Sequence, residues 1–297
     1  MSVTMARPDA GAATGAAADG ARPAPADRGG RRSGWAGLSV LAVAVVAGGL
    51  LVAGEDGLTA AEVVRAGLIL AWNVAGLSLL RRRPHRPAGL IVLGGVTLGA
   101  VTFLATAAVD SGWRGVSADV ASFVRPVGVA LLPAVGLHLF LGLPEGRLGT
   151  NGRRLAAWAG YGMAVVIGLC LWAARPSLPL WPVWLSGAVA AVLGFPASNR
   201  RYVTATAGER QRLQWVGCAV VVVAEAVLLI SALRLLAGWP DSGAVAAGAM
   251  TVLVPLSFVA GTSKRLVGRV DRILVHTVSA AGLTGVVVSV YLVVVLG

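Results

Sequence analysis

Nine stretches of almost unbroken apolar sequence dominate the chain, at residues 35–53, 63–80, 88–109, 120–143, 155–174, 180–197, 213–236, 244–261 and 276–296. Each is long enough to cross the ~30 Å hydrocarbon core of a bilayer as an α-helix rising ~1.5 Å per residue. Polar residues gather between the stretches, and the gaps alternate between arginine-rich and arginine-poor. The pattern predicts an all-α fold, a polytopic transmembrane helix bundle of about nine spans occupying 35–297. Residues 1–34 form an Ala/Gly/Pro-rich tail with no apolar periodicity, which is predicted to be disordered. Arg31-Arg32 before the first run has the form of a twin-arginine signal. That run exceeds the roughly 7–15 residues of a signal h-region and lacks a convincing cleavage site, which favours a first span.

The basic residues orient the bundle. Of 25 Lys and Arg, twenty lie in the tail and in the loops 81–86, 147–154, 200–212 and 264–272. Only Arg65, Arg114, Arg125, Arg175 and Arg234 fall on the other side. The positive-inside rule therefore predicts an inner-membrane protein with a cytoplasmic N-terminus. Eight of the nine tryptophans fall near predicted interfaces, as an aromatic belt requires, and Trp72 alone lies deep. Nine crossings leave Gly297 outside, directly after an apolar run, so the membrane domain reads as incomplete at its C-terminus.

Composition sharpens this picture without changing it. The chain is 57% hydrophobic and 13% charged with mean hydropathy +0.80, against the roughly 25% charged residues of ordinary soluble domains. The net charge of +12 is spread over short loops, and no basic helix or aromatic–basic interleaving points to nucleic acid. Cys170 and Cys218 lie inside apolar runs and read as packing residues, not as a disulfide.

An ionisable group at membrane depth is costly and marks a site by default. Glu225, in the middle of the seventh span, is the clearest case; Arg125 and His138 of the fourth span and Asn73 of the second are its candidate partners. Two readings stay open: a polar lock between helices, or a ligand, ion or proton site. Pro126, Pro133 and Pro255 should kink the fourth and eighth spans, and Gly95 and Gly99 form a GxxxG pair suited to close contact inside the bundle. The glycine-rich segment 142–152 lacks the ending of a phosphate-binding loop and reads as a tight interhelical turn. His85, His138 and His276 are isolated, no metal-ligand spacing or catalytic motif occurs, and no cofactor is implied. Arg81, Arg82, Arg83, Arg153, Arg154, Arg200 and Arg201 are the natural contacts for anionic lipid headgroups.

Four arginine-side motifs together resemble the membrane region of sensor histidine kinases from GC-rich bacteria. Arg82-Arg83-Pro84-His85-Arg86-Pro87-Ala88-Gly89-Leu90 resembles the family's RRxxxPxGxL, with His85 and Arg86 in place of a usual polar–Asn pair. Leu143-Pro144-Glu145-Gly146-Arg147-Leu148 is similar to FPDGRL, and Arg210-Gln211-Arg212-Leu213-Gln214-Trp215 to RQQLRW. Arg265-Leu266, then Val270-Asp271-Arg272-Ile273 and Thr277, resembles RLYDIDRLINRTLVY, with Val267-Gly268 where Tyr-Asp stands. The motifs keep the family's order over roughly two-thirds of the chain. The resemblance implies a sensory or anchoring membrane region of a two-component system that signals by helix repacking, here around Glu225. It implies as partners a second copy of the chain and, in a full-length relative only, a kinase domain and a response regulator. These residues contain no histidine box, asparagine box or nucleotide lid, and His276 lies in an interfacial position of the last motif. The alternative is a small-solute or ion transporter with an intramembrane Glu site, for which no internal repeat is found. Topology is checkable directly: reporter domains fused at Thr150 and at Ser242 are expected in opposite compartments, cytosol and exterior, and a shared location overturns the span assignment.

Overall fold

The apolar runs become helices whose ends are set by the polar residues between them. The computed structural model describes residues 28–54, 57–82, 85–143, 145–175, 179–238 and 241–263, with isolated residues between 279 and 291. The helices are α1 (Arg28–Gly54), α2 (Ala60–Leu80), α3 (Arg86–Asp110), α4 (Val116–Gly142), α5 (Asn151–Ala173), α6 (Trp181–Thr204), α7 (Ala207–Ala237), α8 (Gly243–Met250) and α9 (Leu253–Thr262). Among the described residues no strand occurs, and eight helical segments are long and apolar enough to cross a membrane. The fold is an all-α, multi-pass membrane bundle. The expected ninth span at 276–296 lies outside the described residues apart from isolated positions, as do residues 1–27 of the expected tail.

Residues 28–34, assigned to the tail from sequence, are the first turns of α1 instead. Extending a helix already nucleated by the apolar span costs little, and arginine is a good helix former. The same economy lengthens α6 and α7 beyond the apolar limits expected for them. Two starts carry capping boxes. Thr59 accepts from the Glu62 amide at 3.3 Å while its own amide donates to the Glu62 carboxylate at 2.7 Å; Thr206 and Glu209 repeat the arrangement on α7. Such caps are worth about 1 kcal/mol each by satisfying first-turn amides. At its far end α7 stops on Gly238, whose φ of +66° is open to glycine without strain.

Helix α3 is the hub, packed on α1, α2 and α4. Helix α4 also takes α5 and α6, α2 takes α8 and α9, and α7 packs on α8 and α9. Lipid adds little to the attraction between apolar helices, so closeness of packing decides their association. Glycine supplies that closeness. A methyl group at Gly95 would lie 2.9 Å from Val135 of α4, and one at Gly99 would lie 3.6 Å from Ile69 of α2. The GxxxG pair thus serves contacts inside the bundle. Elsewhere large apolar side chains face outward, with Leu51 77% and Trp158 74% exposed, as a bilayer rather than water would permit.

The three prolines sit in different settings. Helix α4 runs unbroken through Pro126 and Pro133. The eighth span is interrupted, ending α8 at Met250 and restarting at Leu253. Pro255 has no amide to give the Thr251 carbonyl and its ring crowds that carbonyl. The Val254 amide takes it instead, at 3.1 Å, in a tightened turn.

The α4–α5 contact gives a stability test, because an added methyl at Gly168 would lie 2.8 Å from the Val127 backbone, whereas Gly162 faces open space. Gly168→Leu is expected to lower stability in detergent by about 1–3 kcal/mol through overpacking, and Gly162→Leu to leave it unchanged, read from thermal unfolding.

Candidate functional site

Three of the four recognisable motifs meet at the arginine-rich end of the bundle. After α2 the chain turns through a hydrogen bond from the His85 amide to the Arg82 carbonyl, 3.0 Å long. Helix α3 then starts with Pro87 in its first turn, where a missing amide costs nothing. The next amide, of fully buried Ala88, donates to the Glu145 carbonyl at 3.1 Å. The turn after α4 thereby satisfies a first-turn donor of α3, which would otherwise be orphaned. Gly146 completes the joint. Its φ is +82°, and any Cβ there would collide with the backbone of Pro87 and Ala88. Gly89 is equally constrained, since a methyl on it would lie 2.9 Å from the Leu80 amide nitrogen.

The third motif reaches this joint from α7, and three of its polar residues have separate tasks. Arg210 donates to the Ala205 and Val203 carbonyls, both at 2.9 Å, and so caps the end of α6. Arg212 donates through Nη1 to Nε2 of His85, which is 4% exposed. Gln214 donates to the Tyr202 hydroxyl at 3.0 Å. Leu213 and Val216 enter the main apolar cluster beside Leu79, Leu143 and Phe258. A void of about 30 Å³ beneath the His85–Arg212 pair, bordered by Ser257 and Gly261 of α9, has room for one water. The fourth motif, 265–277, lies outside the described residues; in sequence it begins two residues after Ser263, the cap of α9.

The polar site expected around Glu225 does not assemble. Glu225 is half-exposed on α7 and makes no hydrogen bond or ion pair among the described residues. Arg125 pairs with Asp110 at 2.9 Å instead, across the α3–α4 connection. His138 shares a 3.1 Å hydrogen bond with the Tyr161 hydroxyl of α5, their rings edge to face. The reason is packing order: α4 is surrounded by α3, α5 and α6, whereas α7 sits on α8 and α9. Asn73 is buried at 5% exposure with its side-chain oxygen unpartnered. Among the described residues no three His, Cys, Asp or Glu side chains gather as a metal site would require.

The arginines expected at lipid headgroups also divide. Arg81 and Arg200 are exposed, Arg82 and Arg201 are half-buried, and Arg83 lies outside the described residues. Arg153 and Arg154 reach back to the Leu141 and Leu148 carbonyls at 3.4 and 3.3 Å, holding the turn between α4 and α5. That turn is an interhelical connection, with Thr150 capping α5. No protein-family model, curated protein or solved structure matches this chain.

The joint is testable at one atom. Gly146→Ala forces a side chain into the left-handed region, at about 1–2 kcal/mol, and into the Ala88 backbone besides. It is expected to lower the unfolding temperature in detergent more than Gly149→Ala, whose Cβ meets open space.

Proposed function

We propose that this chain is the sensory or anchoring membrane region of a two-component sensor histidine kinase, set in the inner membrane with its N-terminus cytoplasmic. It signals by helix repacking to a kinase half that these 297 residues do not contain. One observation carries the reading. The segments that resemble the family, 82–90, 143–148 and 210–215, are far apart in sequence yet in contact at one end of the bundle, where α9 leads into the fourth.

The arrangement supports a coupling device better than an enzyme. Ala88, Glu145 and Gly146 fix α3 to the α4–α5 turn through backbone atoms, which makes a rigid half. Helices α7 and α9 meet that half through side chains, His85 on Arg212 and Leu79 beside Phe258. A change in helix spacing is then taken up at the side-chain contacts and passed to the segment beyond Ser263. A packed interface of this kind has discrete arrangements and so can act as a two-state element.

The transporter alternative relied on Glu225 in a polar path. Glu225 lies on α7, away from the large cavity bordered by α2, α3 and α4, and that weakens it. The test begins with the gene. The reading frame beyond Gly297, or its neighbour, is expected to encode a further crossing and a histidine box. In liposomes the complete kinase with Arg212→Gln is expected to change autophosphorylation at least about threefold, roughly the loss of one modest hydrogen bond. A locus without kinase sequence, or an Arg212→Gln kinase identical to wild type, overturns the proposal.

A further inference from the structure

A cavity of about 670 Å³ lies between α2, α3 and α4, inside the roughly 300–1,000 Å³ range of small-molecule sites. Along α3 it extends from Thr106 to Val92, about 21 Å by helical rise. That exceeds the ~15 Å half-thickness of a bilayer's hydrocarbon core. Its walls are apolar. Leu68, Ile69 and Trp72 come from α2, and Val129, Leu132 and Leu139 from α4. The two threonines in the wall have spent their hydroxyl protons, Thr102 on the Leu98 carbonyl at 2.7 Å and Thr106 on the Thr102 carbonyl at 2.8 Å. The void opens beside Gly136, where an added Cβ would meet nothing within 4 Å.

Charge enters this cavity at one end only. Arg65, five residues into α2, and Arg125 both line it on the arginine-poor side. Arg65 is exposed and makes no hydrogen bond or ion pair among the described residues. The acid nearest in sequence, Glu62, is held by the Thr59 amide and hydroxyl at 2.7 and 2.8 Å and feels the Arg65 charge more weakly, without a bond to it. Arg125 gives one N–H to Asp110, whose side chain is 54% exposed, and a guanidinium has five. Water filling so apolar a channel would lack the two to four polar partners it needs.

We infer that this cavity binds a single-chain anionic amphiphile, its acid head between Arg65 and Arg125 and its hydrocarbon chain lying along α3. The head forms charge-assisted hydrogen bonds, the strong kind, while the chain replaces contacts the void leaves unmade. Trp72 links the site to the rest of the bundle, because its ring packs on Phe258 of α9 at 5.6 Å between centroids. Binding stands independently of the signalling role; only its transmission through α9 rests on that role.

The test uses the full chain in neutral detergent, titrated with oleate and with oleyl alcohol, with bound adducts counted by native mass spectrometry. One oleate per chain is expected, with the alcohol weaker by about tenfold or more, the loss of a charge-assisted hydrogen bond. Gly136→Phe should abolish the adduct by filling the void, and Arg65→Gln should weaken it about tenfold on the same ground. The Cβ added at Gly136 meets nothing within 4 Å and Arg65 is exposed, so circular dichroism should be unchanged, and either variant alone decides the matter if the other fails to fold. Equal binding of the alcohol, or undiminished oleate binding by a folded variant, overturns the site. Displacement of oleate by lower concentrations of dioleoylphosphatidylglycerol overturns the single-chain assignment in favour of a bilayer lipid.

Discussion

The peptide between Pro87 and Ala88 rests directly against Gly146, and the Ala88 amide is consumed by the carbonyl of Glu145. This contact of main chain with main chain joins the start of one transmembrane helix to the end of the next. It leaves no side chain whose rotation could relax it. Everything at the arginine-rich end is arranged around that fixed point. The α2–α3 turn must be short enough to bring Pro87 there, Gly89 must admit the end of α2, and His85 is thereby held where Arg212 can reach it. In a bilayer, where polar backbone groups have no solvent to fall back on, such a joint is hard to replace by anything looser.

Away from the joint the bundle is held by fit. Small residues dominate the buried positions, Ala75, Ala88, Ala100 and Ala130 being fully enclosed, and large apolar side chains point to the lipid. Dispersion at short range is what remains to hold helices together once the hydrophobic effect is shared equally with the solvent. The main apolar cluster runs along α1, α2 and α3 from Ala66 and Phe103 to Leu79 and Ala88, and takes in residues of α4, α7 and α9. The cavity shares Val92, Val96, Phe103 and Leu139 with it, so tight packing and open space lie side by side along α3.

Spans and turns were legible because apolar run length and arginine placement are written residue by residue. Gly146 and Gly89 were legible as motif members, although only the close approach of two backbones explains them. The capping boxes at Thr59 and Thr206 are written in the sequence as Thr-x-x-Glu. Neighbour relations were not legible. Arg125 and His138 share a depth range with Glu225, yet depth says nothing about which helices touch, and α4 and α7 have different neighbours. In the sequence Arg65 stands only as one of the five basic residues on the arginine-poor side. That it lines the same cavity as Arg125 depends on the angular position of α2 against α3, which no single span encodes. Pro126 and Pro133 lie inside the continuous α4, whereas Pro255 follows the tightened turn between α8 and α9.

The interrupted eighth span has a geometric consequence. Across Thr251 and Val252 the ladder tightens rather than lapses, the Thr251 amide donating to the Gly248 carbonyl at 3.1 Å and the Val252 amide to the Ala249 carbonyl at 3.2 Å. Helices α8 and α9 therefore meet through one overwound turn, which shifts the face that α9 presents relative to α8. Phe258 and Thr262 lie together beyond that turn, on the uninterrupted stretch of α9.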